Sequence, residues 1–104
     1  ESAYDKALFE QALAQGKPTV VDFSASWCPT CKAQKPIVSG LLLEPRFKSL
    51  TVFVADYDKE AALKRQLRIA QQSTFVVFKD GKEVARSTGE TDKAAIAELF
   101  SKSL

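Results

Sequence analysis

The sequence predicts an α/β fold in which a central mixed four-stranded sheet is flanked by helices in the order αβαβαββα, with residues 1–104 forming a single domain. Three observations lead there. Short apolar runs of strand length alternate with segments whose apolar residues recur at helical spacing. Two of those runs flank an Asp80-Gly81 pair, the signature of a tight antiparallel hairpin. No linker, repeat or low-complexity tract separates the pieces, and every candidate loop is short.

Between Ser2 and Gln15, the residues Ala3, Tyr4, Ala7, Leu8, Ala12 and Leu13 recur at roughly helical spacing, and Gly16-Lys17-Pro18 ends this first helix. Thr19 to Ala25 is β-branched and aromatic, as a strand buried on both faces requires. A second helix is expected from near Cys28 towards Leu43, modestly bent where Pro36 removes one hydrogen bond. Leu50 to Asp56 reads as the next strand and Lys59 to Arg68 as the next helix, with Leu63 and Leu67 on one face. Thr74 to Phe78 and Glu83 to Ser87 are the hairpin strands. After Gly89, Thr91 or Asp92 can cap a last helix that turns Ile96, Leu99 and Phe100 inward.

Composition excludes several functions. Fifteen basic and 13 acidic residues are spread along the chain and give a net charge of +2, so the electrostatic footprint of a nucleic-acid binder is missing. No apolar run approaches the ~20 residues of a membrane span, and the chain is expected to be soluble, without membrane insertion. Histidine is absent, which rules out Cys–His and Ser–His–Asp catalysis and His-ligated metal sites. Methionine is absent too, and Glu1-Ser2-Ala3 carries no signal core, so a processed mature form or a trimmed chain is expected.

The only two cysteines, Cys28 and Cys31, stand three positions apart. A sulfur attacks as thiolate and therefore needs a lowered pKa and access to a substrate disulfide. At a strand-to-helix junction, Cys28 meets the unpaired N–H groups and the dipole of a helix start. Cys31, one turn later, can resolve a mixed disulfide on Cys28 and close a small ring. Pro29 and Thr30 set the turn between them, and Lys32 and Lys35 add a weak cationic bias. A structural zinc site would need a second pair of ligands, so redox use is the favoured reading. Trp27 either grips a substrate and covers the dithiol or only packs over the turn. Asp22, a carboxylate within an apolar strand, should have a raised pKa; it is either a general base for Cys31 or a structural carboxylate.

The stretch Val21-Asp22-Phe23-Ser24-Ala25-Ser26-Trp27-Cys28-Pro29-Thr30-Cys31-Lys32, with Pro36 five residues after Cys31, resembles the active-site segment of the thioredoxin family. The likeness runs on through Ala55-Asp56-Tyr57-Asp58, Thr74 to Lys79-Asp80-Gly81, and Gly89, so that it covers nearly the whole chain. It implies a thioredoxin-like fold, Cys28 as nucleophile, Cys31 as resolving thiol and Asp22 as buried proton acceptor. Trp27, Pro29, Thr30, Ser73 and Thr74 would then meet the substrate. There are departures from the pattern. The family's cis-proline position falls on Ser73, and because a non-proline cis bond costs about 2.5–4 kcal/mol, the Gln72–Ser73 peptide is expected to be trans. Val54 stands where many thioredoxins place a lysine near the buried carboxylate. The Pro29-Thr30 dipeptide replaces the common Gly-Pro and leaves the direction of reaction open.

Those features imply a thiol:disulfide oxidoreductase of the protein-disulfide reductase type, acting as a monomer. It needs no cofactor beyond the redox-active Cys28–Cys31 disulfide, and its electrons come from an upstream reductase or a membrane electron carrier. The family's small first strand is expected to be absent, as in exported thioredoxin-like domains, which points to a periplasmic or secreted home with the cytoplasm as alternative. The competing function is an iron–sulfur or metal-binding dimer, in which Cys28 and Cys31 of two chains supply the ligands and Ser73 leaves the thiols open.

Overall fold

The computed structural model describes residues 1–104. Its elements are β1 (Ser2–Ala3), α1 (Lys6–Ala14), β2 (Thr19–Ser24), α2 (Pro29–Leu42), β3 (Thr51–Asp56), α3 (Ala61–Leu67), β4 (Thr74–Lys79), β5 (Lys82–Thr88) and α4 (Lys93–Ser101), with a 3-10 turn at Pro45–Phe47. One mixed sheet runs β1-β3-β2-β4-β5. β2 is central, parallel to β3 and antiparallel to β4. No helix is long and apolar enough to cross a membrane.

The sheet therefore has five strands where the residue pattern predicts four. The extra one is Ser2–Ala3, which periodicity assigns to the first helix. Asp5 sets the true boundary, because its carboxylate accepts from the Leu8 amide at 3.0 Å and starts the helix at Lys6. Upstream, Ser2 and Ala3 pair with Phe53 and Val54 on the open edge of β3, and the Tyr4 amide donates to the Val54 carbonyl at 2.9 Å. A two-residue strand carries too little pattern for a periodicity to register. Since the small first strand is present, the ground it offered for an exported home falls away.

The remaining boundaries follow local chemistry. α2 persists through Pro36, and Asp92 supplies the cap of α4 by accepting from the Ala95 amide at 2.9 Å. α3 is shorter than expected: the chain turns through Lys59 and Glu60, whose amides donate to the Asp56 carbonyl, so the helix starts at Ala61, and the left-handed Arg68 ends it after Leu67. The Gln72–Ser73 peptide is trans, as expected.

Alternation along β2 divides the core. Val20 joins Val38, Leu41, Phe75, Ile96 and Phe100 on the face covered by α2 and α4. Val21 and Phe23 join Phe9, Phe53, Leu63 and Phe78 on the face covered by α1 and α3. Asp22 follows Val20 by two residues and so belongs to the α2 face, between Phe75 and Val54 in register. Edge-on ring pairs of Phe9 with Phe53 and of Phe75 with Phe100 tie helices to strands on both sides.

The Asp80-Gly81 turn is where a glycine is indispensable. Both residues have positive φ, 53° and 81°, as the predicted hairpin requires. A Cβ on Gly81 would also lie 2.9 Å from the Leu13 carbonyl oxygen of α1. Gly81→Ala should therefore lower stability by about 1–3 kcal/mol without altering the thiols. Urea denaturation checks this, and an unchanged midpoint would contradict it.

Candidate active site

β2 ends at Ser24, and the chain turns through Ala25, Ser26 and Trp27 to enter α2. Cys28 is the N-cap of that helix, with extended backbone, and Pro29 occupies the first helical position, where no N–H is needed. The Cys28 sulfur takes the part usually played by a serine or aspartate oxygen and accepts the Cys31 amide N–H at 3.2 Å. Both cysteines are free thiols. They are covered, with 1% and 5% of their surfaces exposed, in a small cluster with Ala25 against which Tyr57 packs.

The loop before β4 closes over the pair. Ser73 Oγ lies 3.0 Å from Cys28 Sγ and 3.1 Å from Cys31 Sγ. Its backbone is pinned on both sides: the amide donates to the Phe23 carbonyl at 2.8 Å, and the carbonyl accepts the Gly89 amide at 3.0 Å. Burial disfavours ionisation of Cys28, yet the Cys31 side chain, the Ser73 hydroxyl and the Cys31 amide, with a smaller share from Gln72, outweigh it and lower the thiol to about 7.

Asp22 is 6% exposed, and its Oδ1 has no hydrogen-bond partner. Burial, reinforced by the charge of Glu1, raises its pKa to about 7, while Lys35 acts in the opposite sense. Val54 is indeed its neighbour on β3, so what cationic influence there is comes from α2. A cleft of about 250 Å³ is lined by Ser24, Ala25, Ser26, Cys31, Lys32 and Lys35.

Trp27 is 56% exposed, and its indole N–H donates to Asp58 at 2.8 Å, which fixes the ring beside the dithiol. Pro29 is exposed and Thr30 half-buried at the same rim. Thr74 is buried, its hydroxyl donating to the Gln71 carbonyl and lying 2.9 Å from that of Thr88. The fold thus gathers Trp27, Cys28, Pro29, Thr30, Cys31 and Ser73 at one end of the sheet, with Asp22 behind them and Thr74 enclosed. Two residues escaped the sequence reading. Asp58 holds Trp27 across a loop and leaves no local signal. Gln34 is buried in the inward stripe Cys31, Gln34, Val38, Leu41, and a polar residue at that helical spacing is the signal that could have found it.

A covered cysteine pair at a helix start, with one thiol drawn towards neutrality, defines a dithiol that exchanges with disulfides. Comparison with known proteins makes the class specific. The family model described as Thioredoxin matches residues 2–102. The thioredoxin of Chlamydia trachomatis is 35% identical over 94 residues, covering 90% of this chain and 89% of that one. The crystal structure of Trxlp from Edwardsiella tarda superposes with a TM-score of 0.93 at 39% identity, covering 95% of this chain and 96% of that one. A bifunctional thioredoxin reductase/thioredoxin of Mycobacterium leprae is 34% identical over 92 residues, 88% of this chain but only 20% of that longer protein. The chain belongs to the thioredoxin family. Members of that family are thiol:disulfide oxidoreductases, and the adjacent Cys28 and Cys31 give this chain that activity. Neither the comparisons nor the geometry support the iron–sulfur alternative, since both sulfurs face inward onto Ser73.

The raised pKa of Asp22 makes stability depend on pH. Between its unfolded value near 4 and about 7, the folded chain holds a proton that the unfolded chain releases. This contribution is complete below about pH 4 and is lost as pH rises through 7, a loss on the order of 4 kcal/mol for about three pK units. Asp22→Asn should thus be more stable than the parent at pH 8, with the gap closing near pH 4. Parallel pH profiles in urea denaturation would refute it.

Proposed function

We propose that this chain passes two electrons from its dithiol to protein disulfides, with Cys28 as nucleophile, Cys31 as resolving thiol and Asp22 as proton acceptor. The observation that carries this reading is the Cys28 sulfur at the helix cap, accepting the Cys31 amide and lowered to about 7. At neutral pH a substantial share of Cys28 is thiolate. The thiolate attacks one sulfur of the substrate disulfide, forming the mixed disulfide on Cys28 and expelling the other sulfur with its electron pair. Cys31 then gives up its proton, with Asp22 as the acceptor, and attacks Cys28 Sγ. The Cys28–Cys31 disulfide forms, and the second substrate sulfur leaves as thiolate.

Substrate chains meet exposed Trp27, Pro29 and half-buried Thr30 at the rim, with buried Ser73 and Thr74 as the floor. Ser73 has both backbone groups committed, whereas the Gln72 backbone has no internal partner and is the group left for a bound strand. As the replacement for the family's cis-proline, Ser73 puts a polar floor under the mixed disulfide. Thioredoxins act on protein disulfides, are reduced by thioredoxin reductase and need no cofactor. For this chain the proposal is a monomer re-reduced by such a reductase or, if the home is periplasmic or secreted, by a membrane electron carrier.

A stoichiometric assay of protein-disulfide reduction tests the roles. Cys28→Ser should abolish reduction. Cys31→Ser should attack once and accumulate the mixed disulfide, and Asp22→Asn should slow its resolution about 10-fold or more. Full activity in Cys28→Ser would overturn the assignment of the nucleophile.

A further inference from the structure

We propose that the Ser73 hydroxyl is a catalytic group of the dithiol: it donates to Cys28 Sγ, accepts from the Cys31 thiol, and so keeps the pair's remaining proton on Cys31. The inference rests on the dithiol-exchange reading and deepens it. The hydroxyl oxygen lies 3.0 Å from one reacting sulfur and 3.1 Å from the other. A hydroxyl has one hydrogen and two lone pairs, so it can donate to only one of them. The direction follows from what else each sulfur does. Cys28 Sγ already accepts the Cys31 amide, which marks it as the acceptor and leaves the Ser73 oxygen to face the Cys31 thiol. Proline at this position would have no group to offer either sulfur.

The placement is maintained against strain. Ser73 has a φ of 62°, in the left-handed region that costs a residue other than glycine. It is held there by Phe23, by Gly89 and by Gln34, whose Nε2 donates to the Ser73 carbonyl at 3.3 Å and to the Glu90 carbonyl at 2.9 Å. Gln34 is 1% exposed and its Oε1 is unpartnered, so the amide sits in the helix stripe at a cost that an apolar residue would avoid. Gln34 is accordingly the positioning residue that ties α2 to the Ser73 loop. Charged residues on the surrounding elements include Asp22 on β2, Lys32 and Lys35 on α2, Asp56 at the end of β3, Asp58, which accepts from the Trp27 indole, and Glu90 after Gly89. None is among the groups that shift Cys28, which are Cys31, Ser73 and Gln72.

The test titrates the thiolate absorbance of the reduced protein and follows alkylation by iodoacetamide at pH 7. Ser73→Ala and Ser73→Gly should both raise the Cys28 midpoint by about one unit, slow its alkylation roughly five-fold and send a larger share of label to Cys31. Glycine suits the positive φ, so an effect common to both variants belongs to the hydroxyl and not to the backbone. Gln34→Met should shift the midpoint the same way by less, and should add nothing once Ser73 is alanine. An unchanged midpoint in both Ser73 variants overturns the proposal, and a Gln34→Met shift that persists in the Ser73→Ala background overturns the positioning role. Disulfide reduction by the parent is measured separately. Its failure would sink the oxidoreductase reading while leaving the titration result to stand.

Discussion

The hydrogen bond from the Cys31 amide to the Cys28 sulfur joins the secondary structure of this protein to its chemistry. An α-helix must satisfy the N–H groups of its first turn, and here a sulfur does it. The acceptor that starts α2 is therefore also the sulfur whose pKa is lowered to about 7. Cys31 follows one turn later because the helix has begun, and the two sulfurs become neighbours through helical geometry alone. β2 delivers the cap by ending at Ser24 after pairing with β3 on one side and β4 on the other. With the central strand held from both edges, the turn that carries the dithiol rests on the most constrained part of the sheet.

Around that bond the interior carries an unusual polar load. Asp22 and Gln34 each have a buried oxygen without a partner, and Ser73 is buried in a left-handed conformation. Each opposes folding, and Gln34 and Ser73 belong to the helix of the dithiol and the loop over it. The opposing term comes from the apolar faces: Val20, Val38, Phe75, Ile96 and Phe100 on one side, Phe9, Val21, Phe23 and Phe53 on the other. The apolar faces thus let a fold this small carry a strained residue and unpaired polar groups without losing its core.

Much of the architecture was legible before any coordinates. β2, β3 and the β4–β5 hairpin fall within a residue or so of where β-branched runs and the Asp-Gly turn put them, and Asp92 was one of two caps foreseen for α4. β1 was missed because two residues have no period; its existence depends on an open edge of β3 that only the assembled sheet presents. α3 is shorter than its apolar spacing suggests, because the turn through Lys59 and Glu60 that delays its start is a backbone choice that the spacing of Leu63 and Leu67 does not reveal. At the site, the motif located both cysteines, Asp22 and Trp27, and the missing proline drew attention to Ser73.

By itself the sequence determined the dithiol, its place at a strand-to-helix junction and the buried carboxylate, since spacing, propensity and capping act within a few residues. Tertiary structure alone decided what surrounds the sulfurs. Ser73 reaches Cys28 from 45 positions away, Gln34 reaches the Glu90 carbonyl from 56, and Asp58 reaches Trp27 from 31. Those contacts exist because β2 lies between β3 and β4 in space and not in the chain, which brings the loop before β4 over the start of α2. Hydrogen bonds of that kind depend on the assembled sheet, and no local pattern encodes them.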